Sequence, residues 1–140
     1  MEPALALSFS GRSPGSASLV RDTGLDVAVL QLPDQARSLP GASLAPEDPS
    51  AGDGMVALYV DGDSIKAVGL LLERIAPGDD ARPRLQTDHA LPAPFWGGPL
   101  FDDRGQLAGI NTRSTGAEGS AVPVSLLRAL LRRSVGGSGT

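Results

Sequence analysis

The chain is expected to fold as an all-β protein closed by a single C-terminal helix, and three observations carry that expectation. Its 140 residues include 18 glycines and 12 prolines, which fall between short apolar runs, as in strands joined by frequent turns. Hydrophobic residues make up 41% but aromatic ones only 4%, so Val, Leu, Ala and Ile must supply most of the core. Only Ser125 to Arg133 sets apolar residues, Leu126, Leu127, Leu130 and Leu131, on one helical face. One domain is expected from the length.

In chain order, Ala4 to Phe9, Ser16 to Val20 and Val27 to Leu32 are predicted as three short strands separated by Gly and Pro turns. The segment from 33 to 53 is rich in Pro, Ala, Ser and acidic residues and has no sustained periodicity, so it is expected to be a linker. Gly54 to Val60 and Ile65 to Leu72 form the next two strands around an Asp61-Gly62-Asp63 turn. Two aspartates at that spacing resemble the opening of a calcium loop, but the further oxygen ligands and the closing Glu do not follow, and a solvated hairpin turn is expected. A variable loop, Ala76 to Arg82, precedes strands at Leu85 to Thr87 and Gly98 to Phe101. Gly105 can adopt the left-handed conformation needed to turn into Gln106 to Thr112. A strand at Gly119 to Pro123 leads to a helix over 124–134, whose Arg128, Arg132 and Arg133 suit its C-terminal half through the dipole. The glycine-rich 135–140 is expected to be a frayed tail.

Composition narrows the chemistry. The net charge of −4 and the lack of a basic stripe outside the last helix argue against a nucleic-acid partner. With no cysteine and one histidine, His89, disulfides, thiolate metal sites and a His-cluster zinc site are excluded, and neither metal nor cofactor is expected. No apolar run reaches the ~18 residues of a membrane span, and Met1-Glu2-Pro3 lacks a basic leader. No membrane partner and a cytoplasmic location are the corresponding expectations.

The most informative stretch is Leu85-Gln86-Thr87-Asp88-His89-Ala90-Leu91-Pro92-Ala93-Pro94-Phe95-Trp96-Gly97-Gly98-Pro99-Leu100. It resembles the nucleophile loop of trypsin-like serine peptidases of the HtrA branch, which runs Gln-Thr-Asp, a short polar stretch, then Gly-Asn-Ser-Gly-Gly-Pro-Leu. Leu25-Asp26-Val27-Ala28-Val29-Leu30 resembles the segment carrying that family's triad aspartate. Gly109-Ile110-Asn111-Thr112 and Gly119-Ser120-Ala121-Val122-Pro123 resemble the two segments lining its substrate pocket. The likeness extends over roughly residues 4 to 133. It implies a six-stranded Greek-key barrel, the C-terminal barrel of that fold, over 54–123, with 1–32 as remnant strands of the N-terminal barrel and 33–53 as the crossing between barrels.

At the centre of the loop the family pattern fails. Trp96 stands at the nucleophilic serine, and its indole offers only an N–H. Pro94 stands at the glycine whose backbone N–H helps form the oxyanion hole, and proline has none. Loss of one oxyanion donor typically lowers turnover ~100 to 1,000-fold, and loss of the nucleophile removes triad-dependent rate on the order of a million-fold. The family's histidine lies in the first barrel, whereas His89 is inside the nucleophile segment; it is expected to be a surface or loop residue, with Asp88 on the opposite face if the strand continues. Asp26 is then a relic that opens a buried strand.

Three functions follow from the resemblance. The first is a non-catalytic pseudopeptidase that binds a protein or peptide through Phe95, Trp96, Asn111, Thr112 and Ser120. There, Trp96 either plugs the old pocket, the expected role in an aromatic-poor chain, or projects as an anchor. The second is a serine endopeptidase relative, active with a relocated nucleophile at Ser114, Thr115 or Ser120 or within a larger assembly. Such a hydroxyl needs an adjacent imidazole or lysine, and Lys66 is the only lysine. The third is a scaffold in which the open strand edge within Ala4 to Leu32 packs back on the barrel or joins a homodimer or heteromer.

Overall fold

The computed structural model describes residues 5–7, 15–32, 39–114 and 116–139, with side chains described for 21–32, 39–114 and 116–133. Ala4, Ser8 and Phe9 of the first expected strand, residues 33–38 of the expected linker, Thr115 and Thr140 lie outside the described residues. The strands are β1 (Leu5–Leu7), β2 (Gly15–Asp22), β3 (Val27–Gln31), β4 (Gly54–Asp61), β5 (Ser64–Pro77), β6 (Pro83–Thr87), β7 (Pro99–Phe101), β8 (Leu107–Thr112) and β9 (Gly119–Pro123), followed by helix α1 (Val124–Gly139). The chain divides into two compact units: residues 1–41 with 130–140, and residues 42–129. No helix among the described residues is long and apolar enough to cross a membrane.

In the first unit β1, β2 and β3 form an antiparallel sheet in that order. The turn from β2 to β3 holds itself: Asp22 Oδ1 accepts the Leu25 N–H at 3.1 Å, and Leu25 is buried. Asp26 closes this turn with φ +58° and is exposed. It therefore does not open a buried strand: no residue of β3 is buried. Arg133 meets Asp22 at 3.3 Å.

The second unit is a closed six-stranded antiparallel barrel in the order β4-β5-β6-β9-β8-β7, the trypsin-like barrel that the resemblance implied. Alternation along the strands points Met55, Ala57, Leu70, Leu72, Leu85, Leu100, Ala108 and Ala121 into a single core. In this ring β6 and β7 stand opposite each other, so the segment joining them, residues 88–98, must cross the barrel mouth. That Greek-key crossing is the nucleophile segment.

The structure departs from sequence expectation in three connections. β5 runs on to Pro77 and takes up the start of the loop expected from Ala76. The turn after it is tied by Asp80, which receives Arg82 at 2.7 Å and Arg84 at 3.0 Å. Partial burial works against ionising Asp80, but hydrogen bonds from Arg84 and Arg82 outweigh it and hold the carboxyl below its ordinary range. Residues 42–53 are no free linker but part of the barrel unit: Leu107 donates to Ser43 O at 2.8 Å, and Ala45 to Leu107 O at 2.9 Å. Asp48 caps the helix by accepting the Ser125 N–H at 2.9 Å and its hydroxyl at 2.6 Å, while Arg128 donates to Ala45 O at 2.7 Å. Finally, α1 continues to Gly139 through the expected tail, since no proline interrupts it. Arg132 and Arg133 lie in the C-terminal half of this longer helix, whereas Arg128 lies in its first half and serves the carbonyls of 45–46 instead of the dipole.

Candidate functional site

The crossing segment begins where β6 ends. Asp88 donates its backbone N–H to Leu71 O at 3.0 Å, and its carboxylate accepts the Leu71 N–H at 3.0 Å, which closes the β5–β6 ladder. His89 is half exposed in a bend, the surface position expected for it. The expected separation from Asp88 does not hold, since Nδ1 lies 3.1 Å from Asp88 Oδ1. The reason is that the strand stops at Thr87, so strict alternation no longer applies. Thr87 donates to the His89 backbone oxygen at 3.4 Å, so its hydroxyl does not face the imidazole.

From Leu91 the chain turns across the barrel. Leu91 and Phe95 are buried in the core cluster, and Phe95 meets Tyr59 edge to face with ring centroids 4.6 Å apart. Phe95 therefore closes the barrel mouth, the role expected of Trp96, and is not available as the binding residue it was expected to be. Trp96 is 36% exposed. Its indole N–H donates to Leu91 O at 3.0 Å, which fixes the ring's edge, and the Arg113 guanidinium lies 5.9 Å from its ring centre. Pro92, Ala93 and Pro94 beside it are exposed.

The backbone donors from Phe95 to Gly98 all bond carbonyls of the protein. Ala93 to Phe95 form a 3-10 turn in which the Phe95 N–H bonds Pro92 O and the Trp96 N–H bonds Ala93 O, each at 3.0 Å. Gly97 donates to Asn111 O at 2.7 Å, and Gly98 to Phe95 O at 3.0 Å. Pro94 has no N–H. From 94 to 98, then, no amide is left to meet an oxyanion, which needs two donors aimed outward at the developing charge. Gly97 adopts φ +83°, a conformation open to glycine. At Gly98 a Cβ would lie 2.8 Å from Leu58 O, so close backbone approach requires glycine there as well.

Among the other expected binding residues, Asn111 is buried, its amide donating to Pro99 O at 3.1 Å. Thr112 donates to Ser120, both to its carbonyl and to its hydroxyl at 3.3 Å. These three brace β7, β8 and β9 against one another. Ser120, offered as a relocated nucleophile, accepts the Thr112 hydroxyl on its Oγ; Ser114 is partly buried, and Thr115 lies outside the described residues. No hydroxyl among the described residues bonds the His89 imidazole or the Lys66 amine. Asp26 belongs to the other unit. Sequence reasoning missed Arg113: an isolated arginine carries no motif, and only the fold brings it over Trp96.

A concavity of about 310 Å³ lies at the β7–β8 turn, with Glu47, Asp48, Asp53, Asp102 and Asp103 in its lining. Three of these carboxylates have structural work. Asp48 caps α1, Asp53 accepts the Ser50 N–H at 2.8 Å, and Asp102 accepts the Arg104 and Gln106 N–H groups at 2.9 Å each. Gly105 in that turn has φ +75°, as its sequence position predicted.

Residues 3–110 match the family model of the trypsin-like peptidase domain. A probable periplasmic serine endoprotease, DegP-like, from Pseudomonas savastanoi pv. phaseolicola is 33% identical over 130 residues, covering 84% of this chain but 27% of its own length. The chain thus spans about a quarter of that curated relative. The serine endoprotease from Yersinia pestis superposes with a TM-score of 0.67 at 26% identity, over 92% of this chain and 49% of that one. The HtrA-type protease AlgW with tripeptide gives 0.70 at 23% identity, over 93% and 47%, a likeness of fold.

Proposed function

The chain belongs to the trypsin-like peptidase family, and from that premise we propose that it is a non-catalytic member of it, a module that binds a protein or peptide without cleaving it. The observation that carries this reading is the loop from Pro94 to Gly98. Trp96 occupies the nucleophile position, Pro94 occupies an oxyanion position, and every remaining N–H of the stretch is spent on an internal carbonyl. Acyl transfer needs an oxygen or sulfur nucleophile and free donors together, and the segment supplies neither.

The same residues suit recognition. Trp96 is partly exposed and held at its Nε1 edge, Arg113 lies over its face, and the exposed Pro92 and Pro94 stiffen its flank. A rigid aromatic beside a guanidinium is the kind of group that anchors a partner at modest entropic cost.

Because Trp96 is the only tryptophan, fluorescence excited selectively at tryptophan reports on this loop. The test is to titrate the protein with an unstructured peptide library while following that emission, and to assay the same mixtures for cleavage. Saturable emission change without new peptide termini is expected. Turnover by purified wild-type protein, or a serine labelled by a fluorophosphonate, would refute the proposal. Peptide binding unchanged in Trp96→Ala would remove the loop as the binding site.

A further inference from the structure

We propose that the open edge of β5, from Ile65 to Gly69, pairs antiparallel with the same edge of a second copy of this chain. This surface is separate from the Trp96 loop and from the β1–β3 region where an open edge was expected.

The edge is defined by where the β5–β6 ladder stops. At Leu71 both backbone groups point toward β6 and are taken by Asp88. At Leu72 they point the other way, the N–H to Asp53 O at 3.0 Å and the oxygen accepting from Gly52 at 2.7 Å. Antiparallel alternation then directs the N–H and C=O groups of Gly69, Ala67 and Ile65 as at Leu71, away from β4. Among the described residues none of these groups has a partner on that side. A row of unpaired donors and acceptors is a template for another strand.

The side chains beside that edge are apolar, and those of Val56, Val60, Ile65 and Ala67 are exposed. β4 and β5 pair in the register Val60↔Ile65, Leu58↔Ala67 and Val56↔Gly69, which places all six on one outer face. Val60 is 72% exposed and Ile65 69%. Joining two such hairpins would extend this face across four strands and withdraw it from water.

The edge also fits itself. A two-fold axis can lie between a hydrogen-bonded or a non-hydrogen-bonded pair of facing residues, and only the register centred on Ala67 engages the outward groups of Ile65, Ala67 and Gly69 together, since a Val68 centre sets Ile65 against Leu71, whose groups Asp88 takes. In that register Ile65 lies opposite Gly69 of the second copy, so a large side chain meets a small one, and Ala67 lies opposite Ala67. Lys66, the only lysine, falls opposite Val68 and not opposite another cation. The strand pair is short, below the roughly 1,200 Å² of a standard interface, so a reversible dimer is expected.

Sedimentation equilibrium over roughly 10 to 500 µM, the range for an interface of this size, should show a monomer–dimer equilibrium, and Ile65→Lys should weaken it by about tenfold or more. Since Ile65 is exposed, its circular dichroism should match the wild type. The chain has no cysteine, and a hydrogen-bonded antiparallel pair sets its Cα atoms about 5.5 Å apart, within disulfide reach. Ala67→Cys should therefore form a covalent dimer at least about tenfold faster than Val60→Cys, an exposed control on the neighbouring strand. Three results would each overturn the proposal: a monomer throughout that range, which would leave the edge to a strand of another protein; a dimer indifferent to Ile65→Lys; or equal crosslinking rates for the two cysteine variants.

Discussion

The shoulders of the 86–100 segment and its middle answer to different demands. On the shoulders, four residues that match the family pattern have a task in the fold. Thr87 is buried, Asp88 ends a ladder, Gly97 needs φ +83°, and Gly98 passes close to Leu58 O. In the middle, where the family keeps its reacting groups, Pro94 and Trp96 have replaced them, and the loop has folded onto its own carbonyls. The barrel needs the shoulders whether or not a bond is cleaved. It needs from the middle only something to close its mouth, and Phe95 does that.

That contrast can be broken by substitution. Phe95→Ala should have the largest effect, about 3–5 kcal/mol of lost stability in urea unfolding, because a buried ring would leave a cavity beneath the crossing; a loss below about 1 kcal/mol would show that Phe95 does not close the barrel. Gly98→Ala on a shoulder should cost about 1–3 kcal/mol, since the new methyl meets two backbone oxygens that cannot step aside. Asp88→Ala should cost about 1 kcal/mol by orphaning the Leu71 amide, read most directly as faster hydrogen exchange there. Trp96→Phe, in the middle, should cost about 1 kcal/mol or less, the worth of the lost indole bond to Leu91. The double change Pro94→Gly with Trp96→Ser should leave peptide hydrolysis at the buffer rate, since no imidazole bonds a hydroxyl there. Detectable turnover would mean that the catalytic apparatus is nearer completion than the loop indicates.

Much of this was legible in the sequence, and the pattern of success is physical. The barrel strands and the Gly105 turn are encoded locally, by alternation and by a residue that tolerates positive φ, and apart from the C-terminal extension of β5 they fell close to where expected. The exchange of roles between Phe95 and Trp96 was not legible. They are neighbours in an irregular turn, where no period says which ring faces inward. Residues 42–53 look like linker because their partners, Leu107, Ser125 and Arg128, lie far along the chain, and nothing local to Asp48 announces a helix cap. Arg113 was invisible for the same reason.

The latch between Asp48 and Ser125, 77 positions apart, together with that between Ala45 and Arg128, 83 apart, bears on biosynthesis. A chain emerging from the ribosome displays 45–50 long before its counterparts exist. Those late contacts carry a high loop-closure entropy, so the 45–50 stretch of the nascent polypeptide stays unlocked until Ser125 and Arg128 have been made.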